Sequence, residues 1–249
     1  MDKIQHMRKL NILVACEESQ VFCSTFRSLG HNAFSCDIKE ASGDCPQFHI
    51  QGDTLKVAYD CSYQWDLMIG HPPCTYLASS GSRWFYHPQD SHLPVSKRRP
   101  HPKFPNRWKH REQALEFFIK LSEAPIKYIA LENPQGTINR GLKEIGYRGW
   151  LNKKPCYTQP FHHGDKMMKK TGFWLKNLPR IVPSLPSHLW DKGERVGKKG
   201  MSRFFVEALN APTKEERRAL RSKTSPCLAS AVARQFLNHI EKESLVCSF

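Results

Sequence analysis

The chain has 249 residues, 39% of them hydrophobic, enough for one large α/β core with a small appendage. Lys and Arg number 38 against 23 Asp and Glu, and the resulting net charge of +15 points to a polyanionic partner, nucleic acid being the commonest. No run of about 18 apolar residues is present, which excludes a membrane-spanning helix, and the N-terminal apolar stretch lacks a signal peptide's core, so the protein is read as soluble and cytoplasmic.

Nine cysteines without any C-x-x-C pair fit neither a disulfide framework nor a zinc ribbon, and no metal site is expected.

The first element is a strand, NILVA at 11–15, apolar throughout as buried parallel strands are. The turn CEES follows. Val21, Phe22, Phe26 and Leu29 then recur at helical spacing, and Gly30 stands where a helix C′ glycine would. A second strand at 33–38 completes a β-α-β unit, which implies a parallel sheet and a right-handed crossover. Further strands are expected near 48–53 and at 65–70. The latter breaks at His71-Pro72-Pro73-Cys74, because a Pro-Pro pair can continue neither a central strand nor a helix. A thiol is thereby held on a rigid turn at a strand's carboxyl end, the edge where open parallel sheets bind ligands.

Residues 86–110 carry Pro88, Pro94, Pro100, Pro102 and Pro105, which exclude a regular helix. Lys97, Arg98, Arg99, Lys103, Arg107 and Lys109 alternate there with Tyr86, Phe104 and Trp108, and Trp84 and Phe85 stand just before. Aromatics among cations suit base stacking and phosphate contact, and equally suit a solvated, mobile loop with aromatic anchors. From Arg111 the pattern turns helical (Ala114, Phe117, Phe118, Leu121) until Pro125. A strand over 126–134 ends in Glu132-Asn133-Pro134. The stretch 139–156 reads as basic and turn-rich, 172–176 as a strand, and 179–213 as an irregular module. Ser225 and Pro226 open a last helix striped by Leu228, Val232, Phe236 and Ile240.

Cys74 at one strand end and Glu132 at another suggest covalent catalysis with an acid. The turn after the first strand has no glycine and therefore no dinucleotide-type phosphate loop. It offers Glu17 and Glu18, which repel phosphate. Asp37 and Asp53 end the second and third strands, where a carboxylate can hold ribose hydroxyls. Singly, each is equally an ordinary loop carboxylate; together they suit a phosphate-free, ribose-bearing cation such as S-adenosylmethionine.

Pro73-Cys74 followed by Glu132-Asn133 resembles the catalytic pair of the DNA (cytosine-5) methyltransferases, and the segments NILVACEES, SCDI, DLMIGHPPCTYL, IALENPQG, KKTGFWLKNLP and RSKTSPCLASAVARQF are similar to a compact subgroup frequent in bacteriophages. The resemblance implies a Rossmann-like methyltransferase sheet with helices on both faces and S-adenosylmethionine as cofactor. It implies catalytic Pro73, Cys74, Glu132 and Asn133, and cofactor contacts from Ala15, Cys16, Glu17, Glu18, Asp37, Ile38, Asp53, Gly70 and Pro72. Nucleic-acid contacts would come from Lys97, Arg98, Arg99, Arg107, Lys169, Lys170 and Thr171. The family's Phe-x-Gly-x-Gly cofactor loop is absent. The expected organisation is a catalytic core over 1–176, a small irregular target-recognition region over 177–222, and a C-terminal helix in 223–249 packing back on the core, in a monomer acting on single- or double-stranded DNA inside a prokaryotic or phage-infected cell. The same residue logic serves methyl or one-carbon transfer to another pyrimidine or to RNA, and the fold alone would serve a non-catalytic DNA-binding protein.

Overall fold

The computed structural model describes residues 8–196 and 200–246; Cys247 and, within the basic stretch 192–203, Lys198 and Lys199 lie outside the described residues. Five strands form in the expected places: β1 (Asn11–Ala15), β2 (Asn32–Asp37), β3 (His49–Gln51), β4 (Leu67–Gly70) and β5 (Tyr128–Pro134). With β6 (Cys156–Thr158), which was not expected, and β7 (Thr171–Lys176), which matches the strand expected at 172–176, they build one seven-stranded sheet in the order β3-β2-β1-β4-β5-β7-β6. All neighbours are parallel except β7, which runs antiparallel to both β5 and β6.

Alternate residues of each strand feed opposite faces, as the period of a strand requires. Ile12, Val14, Leu67, Ile69 and Ala130 pack against α1 (Val21–Ser28) and the C-terminal helix. Leu13, Met68, Ile129 and Leu131 pack against α2 (Thr54–Tyr59), α3 (Arg107–Ser122) and α4 (Ile138–Glu144). The molecule is thus a mixed α/β fold whose mostly parallel sheet is covered by helices on both sides. Among the described residues, no helix is long and apolar enough to cross a membrane.

Three segments differ from expectation. Helix α3 begins at Arg107, four residues before the periodic pattern, because Arg107 and Arg111 bury their guanidinium groups against aromatic rings instead of exposing them. The turn-rich stretch after β5 contains α4, whose Ile138 and Leu142 are fully buried. The region expected to be irregular holds a two-stranded hairpin, β8 (Arg195–Val196) with β9 (Met201–Ser202), and two helices, α5 (Arg203–Leu209) and α6 (Lys214–Ser222).

The last helix, α7 (Pro226–Val246), docks on α1, and its stripe of Leu228, Val232, Phe236 and Ile240 is buried as the spacing predicts. Phe236 has no exposed surface. Phe236→Ala should lower unfolding free energy by about 3–5 kcal/mol, the usual cost of an aromatic-sized core cavity, read from the urea midpoint. A change near zero would mean that α7 is not part of the cooperative core.

Candidate active site at the carboxyl edge of the sheet

After β1 the chain moves outward to β2 and β3, then returns to place β4 on the other side of β1. The sheet therefore reverses direction between β1 and β4, and the carboxyl ends of these strands flank the crevice where such folds bind ligands. His71-Pro72-Pro73-Cys74 leaves β4 at this point, with His71 N–H donating to Ala15 O at 2.8 Å. The neighbouring strand β5 delivers Glu132 and Asn133.

The two loops are fastened together. Asn133, 1% exposed, donates from Nδ2 to Pro72 O at 2.8 Å. Thr137 N–H donates to Leu77 O at 2.8 Å, Ser79 Oγ donates to Gln135 O at 3.0 Å, and Ala78 bridges Gly136. Gly136 is required: a Cβ there would lie 2.1 Å from Leu77 O. Cys74 O in turn accepts from Leu77 N–H and Ala78 N–H at 3.0 and 2.9 Å, so the thiol starts a hydrogen-bonded turn.

Glu132 Oε2 lies 3.1 Å from His71 Nδ1, with 17% and 13% of the two side chains exposed. Burial by itself pushes the Glu132 carboxyl up, but the hydrogen bond and charge of His71, with Lys169 and Thr171, hold it below the ordinary glutamate range. Burial, and then the Glu132 carboxylate, push the Cys74 thiol up, while Lys169 and Arg221 draw it down. Thiol and carboxyl therefore share one electrostatic site with two cations. Arg221, on α6, reaches over to donate to Ser80 Oγ at 3.1 Å.

A pocket enclosing about 290 Å³, its open mouth included, adjoins this site and is lined by His71, Glu132, Lys169 and Thr171 together with Phe22, Phe173, Pro160, Thr224, Ser225 and Leu228. Neither His71 nor any of the last six was named as a candidate site residue. Ser225 reads in the sequence only as a helix cap, and it is one: its hydroxyl accepts from Leu228 N–H, while Asp165 accepts from Ser225 Oγ and from Cys227 N–H. The motif that starts α7 thus also walls the pocket, a double use that helix periodicity does not reveal. Arg221 was missed because it lies in the stretch read as irregular.

The cofactor candidates divide. Ala15, Gly70 and Pro72 are buried beside the switch point. Asp37 is half-buried, with Oδ1 accepting from Lys39 N–H at 3.0 Å, and Ile38 next to it is 77% exposed. Glu17 belongs to the helix start. It is 3% exposed and turned inward, its two oxygens accepting from Phe22 N–H at 2.7 Å and Cys23 N–H at 3.2 Å at the start of α1. Glu18 pairs with Lys39, and Asp53 is the exposed N-cap of α2, accepting from Leu55 N–H at 2.9 Å. The Cys16 thiol lies 3.8 Å from Thr54 Oγ1, and burial pushes it up to about 12, so it is inert as a nucleophile. Among the described residues no group of three or more His, Cys, Asp or Glu could hold a metal ion.

The nucleic-acid candidates divide likewise. Arg107 is buried, donates to Thr75 O at 2.9 Å and lies over the Tyr76 and Phe85 rings. Arg98 donates to Leu93 O and Ser91 O, and Arg99 forms a two-pronged pair with Asp90, at 3.0 and 2.6 Å, plus a backbone bond at 2.8 Å. These two bind the loop to itself, and only Lys97 of the three is exposed without such a tie. The loop is accordingly a folded one, built of short 3-10 turns around Trp84, His101, Phe104 and Trp108. Thr171 is buried next to Glu132 and lines the pocket with it. Lys169 Nζ donates to Lys223 O at 2.9 Å, and Lys170 is exposed over the Tyr157 ring.

No family model matches the sequence, and no protein of curated function matches it. Among solved structures the chain is similar to an Escherichia coli protein described provisionally as a DNA modification methyltransferase encoded within a prophage, at 14% identity and a TM-score of 0.37. The match covers 67% of this chain and 46% of that one, so this chain spans less than half of that protein's length.

Asp90 fixes the loop from inside, 3% exposed, and its Arg99 hydrogen bonds hold its carboxyl far below the ordinary aspartate range. A depressed carboxyl stabilises the fold above its unfolded value of about 3.9 and loses that contribution as pH falls toward the folded value. Asp90→Asn should therefore speed limited proteolysis between 86 and 105 several-fold at neutral pH, and the wild type should approach the mutant's rate only below about pH 4. Equal cleavage of both at pH 7 would show that the Asp90–Arg99 pair does not hold the loop.

Proposed function

We infer that the protein is an S-adenosylmethionine-dependent methyltransferase acting on DNA, and that it transfers the methyl group to carbon 5 of cytosine through a covalent bond to Cys74. The observation that carries this reading is the delivery of a thiol and a carboxyl, from the ends of adjacent parallel strands, to one site beside the switch point. Inert turn cysteines and capping glutamates do not require this shared placement.

Carbon 5 of cytosine is a poor nucleophile. Addition of the Cys74 thiolate at carbon 6 turns the ring into an enamine, with electron density on carbon 5. Glu132 holds N3 and the exocyclic amine and protonates N3 as the thiolate adds. Asn133 touches no ring atom: its bond to Pro72 O keeps the Glu132 loop in register with the thiol loop. Pro72 and Pro73 fix the thiol where the ring arrives, so little ordering remains for the reaction to supply. Loss of the carbon 5 proton then expels the thiolate. A duplex substrate must extrude the base, at a cost of a few kcal/mol.

The residues present fit the cofactor. The exposed apolar Ile38 and the Asp37 carboxylate beside it would hold the adenine and ribose, and Gly70 and Pro72 would line the methyl-bearing end. Where a phosphate-binding helix start would be needed, Glu17 already caps α1, which disfavours a dinucleotide. S-adenosylmethionine, when bound, supplies an electrophilic methyl group. Lys169 and Arg221, the cations that bear on Cys74, would meet the phosphates flanking the target base, and the residues from 177 to 222 would face the DNA.

Incubation with labelled S-adenosylmethionine and DNA, then RNA, followed by nucleoside digestion and mass spectrometry, should yield 5-methylcytosine from DNA. Methylated uracil or thymine-type products, or methylation of RNA alone, would move the assignment to another acceptor, and no transfer at all would favour a binding protein. Cys74→Ser should abolish transfer while DNA still binds. Glu132→Gln should lose about 10² to 10⁴ in rate with its fold intact, the usual worth of general acid–base help; an unchanged rate would leave Glu132 a structural cap.

A further inference from the structure

His71 has no part in the reaction as described, yet its surroundings are built. Its backbone closes the ladder between β1 and β4. Its ring lies against Phe22, with centroids 5.1 Å apart and planes 35° apart, and Nδ1 is 3.1 Å from Glu132 Oε2. Nearby stands Glu17, a second buried carboxyl, which burial pushes up while the charge of His71 is the largest influence drawing it down. Nε2 is buried without a hydrogen-bond partner among the described residues, while the ring lines the pocket. A ring held against an aromatic face and bound through Nδ1 to a carboxyl is arranged to exchange a proton with that carboxyl.

We propose that His71 is a positioning residue that orients Glu132 and reloads it with the proton it gives to the ring. This rests on the reading above of Glu132 as the acid at N3. As the Cys74 sulfur–carbon 6 bond forms, the proton on Glu132 passes to N3, and the Nδ1 proton of His71 replaces it on the carboxyl. When the carbon 5 proton leaves to solvent and the sulfur–carbon 6 bond breaks, the N3 proton returns to Glu132 as the proton that Glu132 took from His71 passes back to Nδ1, so each group ends as it began. The exchange also favours the nucleophile, since an anionic Glu132 pushes the Cys74 thiol up and a reloaded one does not. The charged and titratable groups that bear on the pair are Glu17 from the β1 turn, Cys74 from the β4 turn and Lys169 just before β7; Arg221 from α6 bears on Cys74, and His49 on Glu17.

The test is His71→Asn, whose amide keeps a donor near Nδ1 and cannot exchange a proton, with His71→Gln as a second variant should the first not fold. In the full chain without substrate, the Glu132 side-chain carboxyl is followed by ¹³C NMR and assigned by its loss in Glu132→Gln. Its titration midpoint should rise in the variant, because a group that stabilises the carboxylate has gone. An unmoved midpoint overturns the pairing, whether or not methylation is observed. In the methyl-transfer assay the ratio of wild-type to variant rate should grow about tenfold or more from pH 6 to pH 8, since an isolated carboxyl above its titration range loses about tenfold of its protonated form per pH unit. A loss that is uniform across pH overturns the proton supply. If the wild type transfers no methyl to cytosine while the Glu132 midpoint still moves, the pair is supported and the reaction assignment alone falls.

Discussion

The hydrogen bond from Asn133 Nδ2 to Pro72 O is the interaction on which the site depends. Two consecutive prolines have no N–H to offer the sheet, so strand pairing with β5 stops at Gly70, and the carbonyl of Pro72 is left buried with no ladder partner. A bare buried carbonyl costs about 1–3 kcal/mol. One amide side chain from β5 answers it, and because that residue follows Glu132 directly, the answer also fixes the carboxyl relative to the thiol three residues after His71. Everything downstream repeats the fastening, through Leu77 with Thr137 and Ser79 with Gln135. A rigid turn alone would hold Cys74 relative to β4; the cross-links hold it relative to Glu132, which acid-assisted addition needs.

Charge excess and charge placement are separate matters in this chain. Arg107 and Arg111 are folded under aromatic rings, Arg98 and Arg99 hold a proline-rich loop closed, and Arg203 pairs with Glu194 and Glu207. Guanidinium groups suit this work because they stack on rings and fork onto carboxylates and carbonyls. The cations that bear on Cys74 are instead Lys169 and Arg221, far apart in sequence and outside the densest basic cluster. A net charge of +15 thus indicates the sign of a partner without locating its contact surface.

The central strands, the helix stripe of α7 and the pairing of a strand-end thiol with a strand-end carboxyl were legible in the sequence, because buried parallel strands are continuous apolar runs and Pro-Pro is an unambiguous stop. What was not legible has physical causes. Strand β6 is three residues long and draws its stability from β7 alone. Helices α2, α4 and α5 have six or seven residues, too few for periodicity to stand out. The proline-rich loop looked open because its order comes from cation–ring and ion-pair contacts between residues that a local reading scores as polar. The helix-start role of Glu17 was hidden for a related reason: a carboxyl next to a helix start is as useful to the helix as to a ligand, and spacing does not say which takes it.

The turn after β1 shows how the chain does without glycine. Cys16 and Gln20 both adopt left-handed backbone, at φ 58°, a conformation that costs an L residue about 1–2 kcal/mol. Side chains offset this cost from within: Gln20 exchanges hydrogen bonds with the Cys45 backbone, at 2.8 and 3.2 Å, and Glu17 accepts the free N–H groups of α1. Glycine-rich turns leave those N–H groups open to a ligand's phosphate. Here they are closed by a residue of the same chain, and the buried carboxylate that closes them stands beside His71. The departure from a phosphate-binding turn and the His71–Glu132 pair are therefore electrically linked: the residue that closes the helix start also bears on His71.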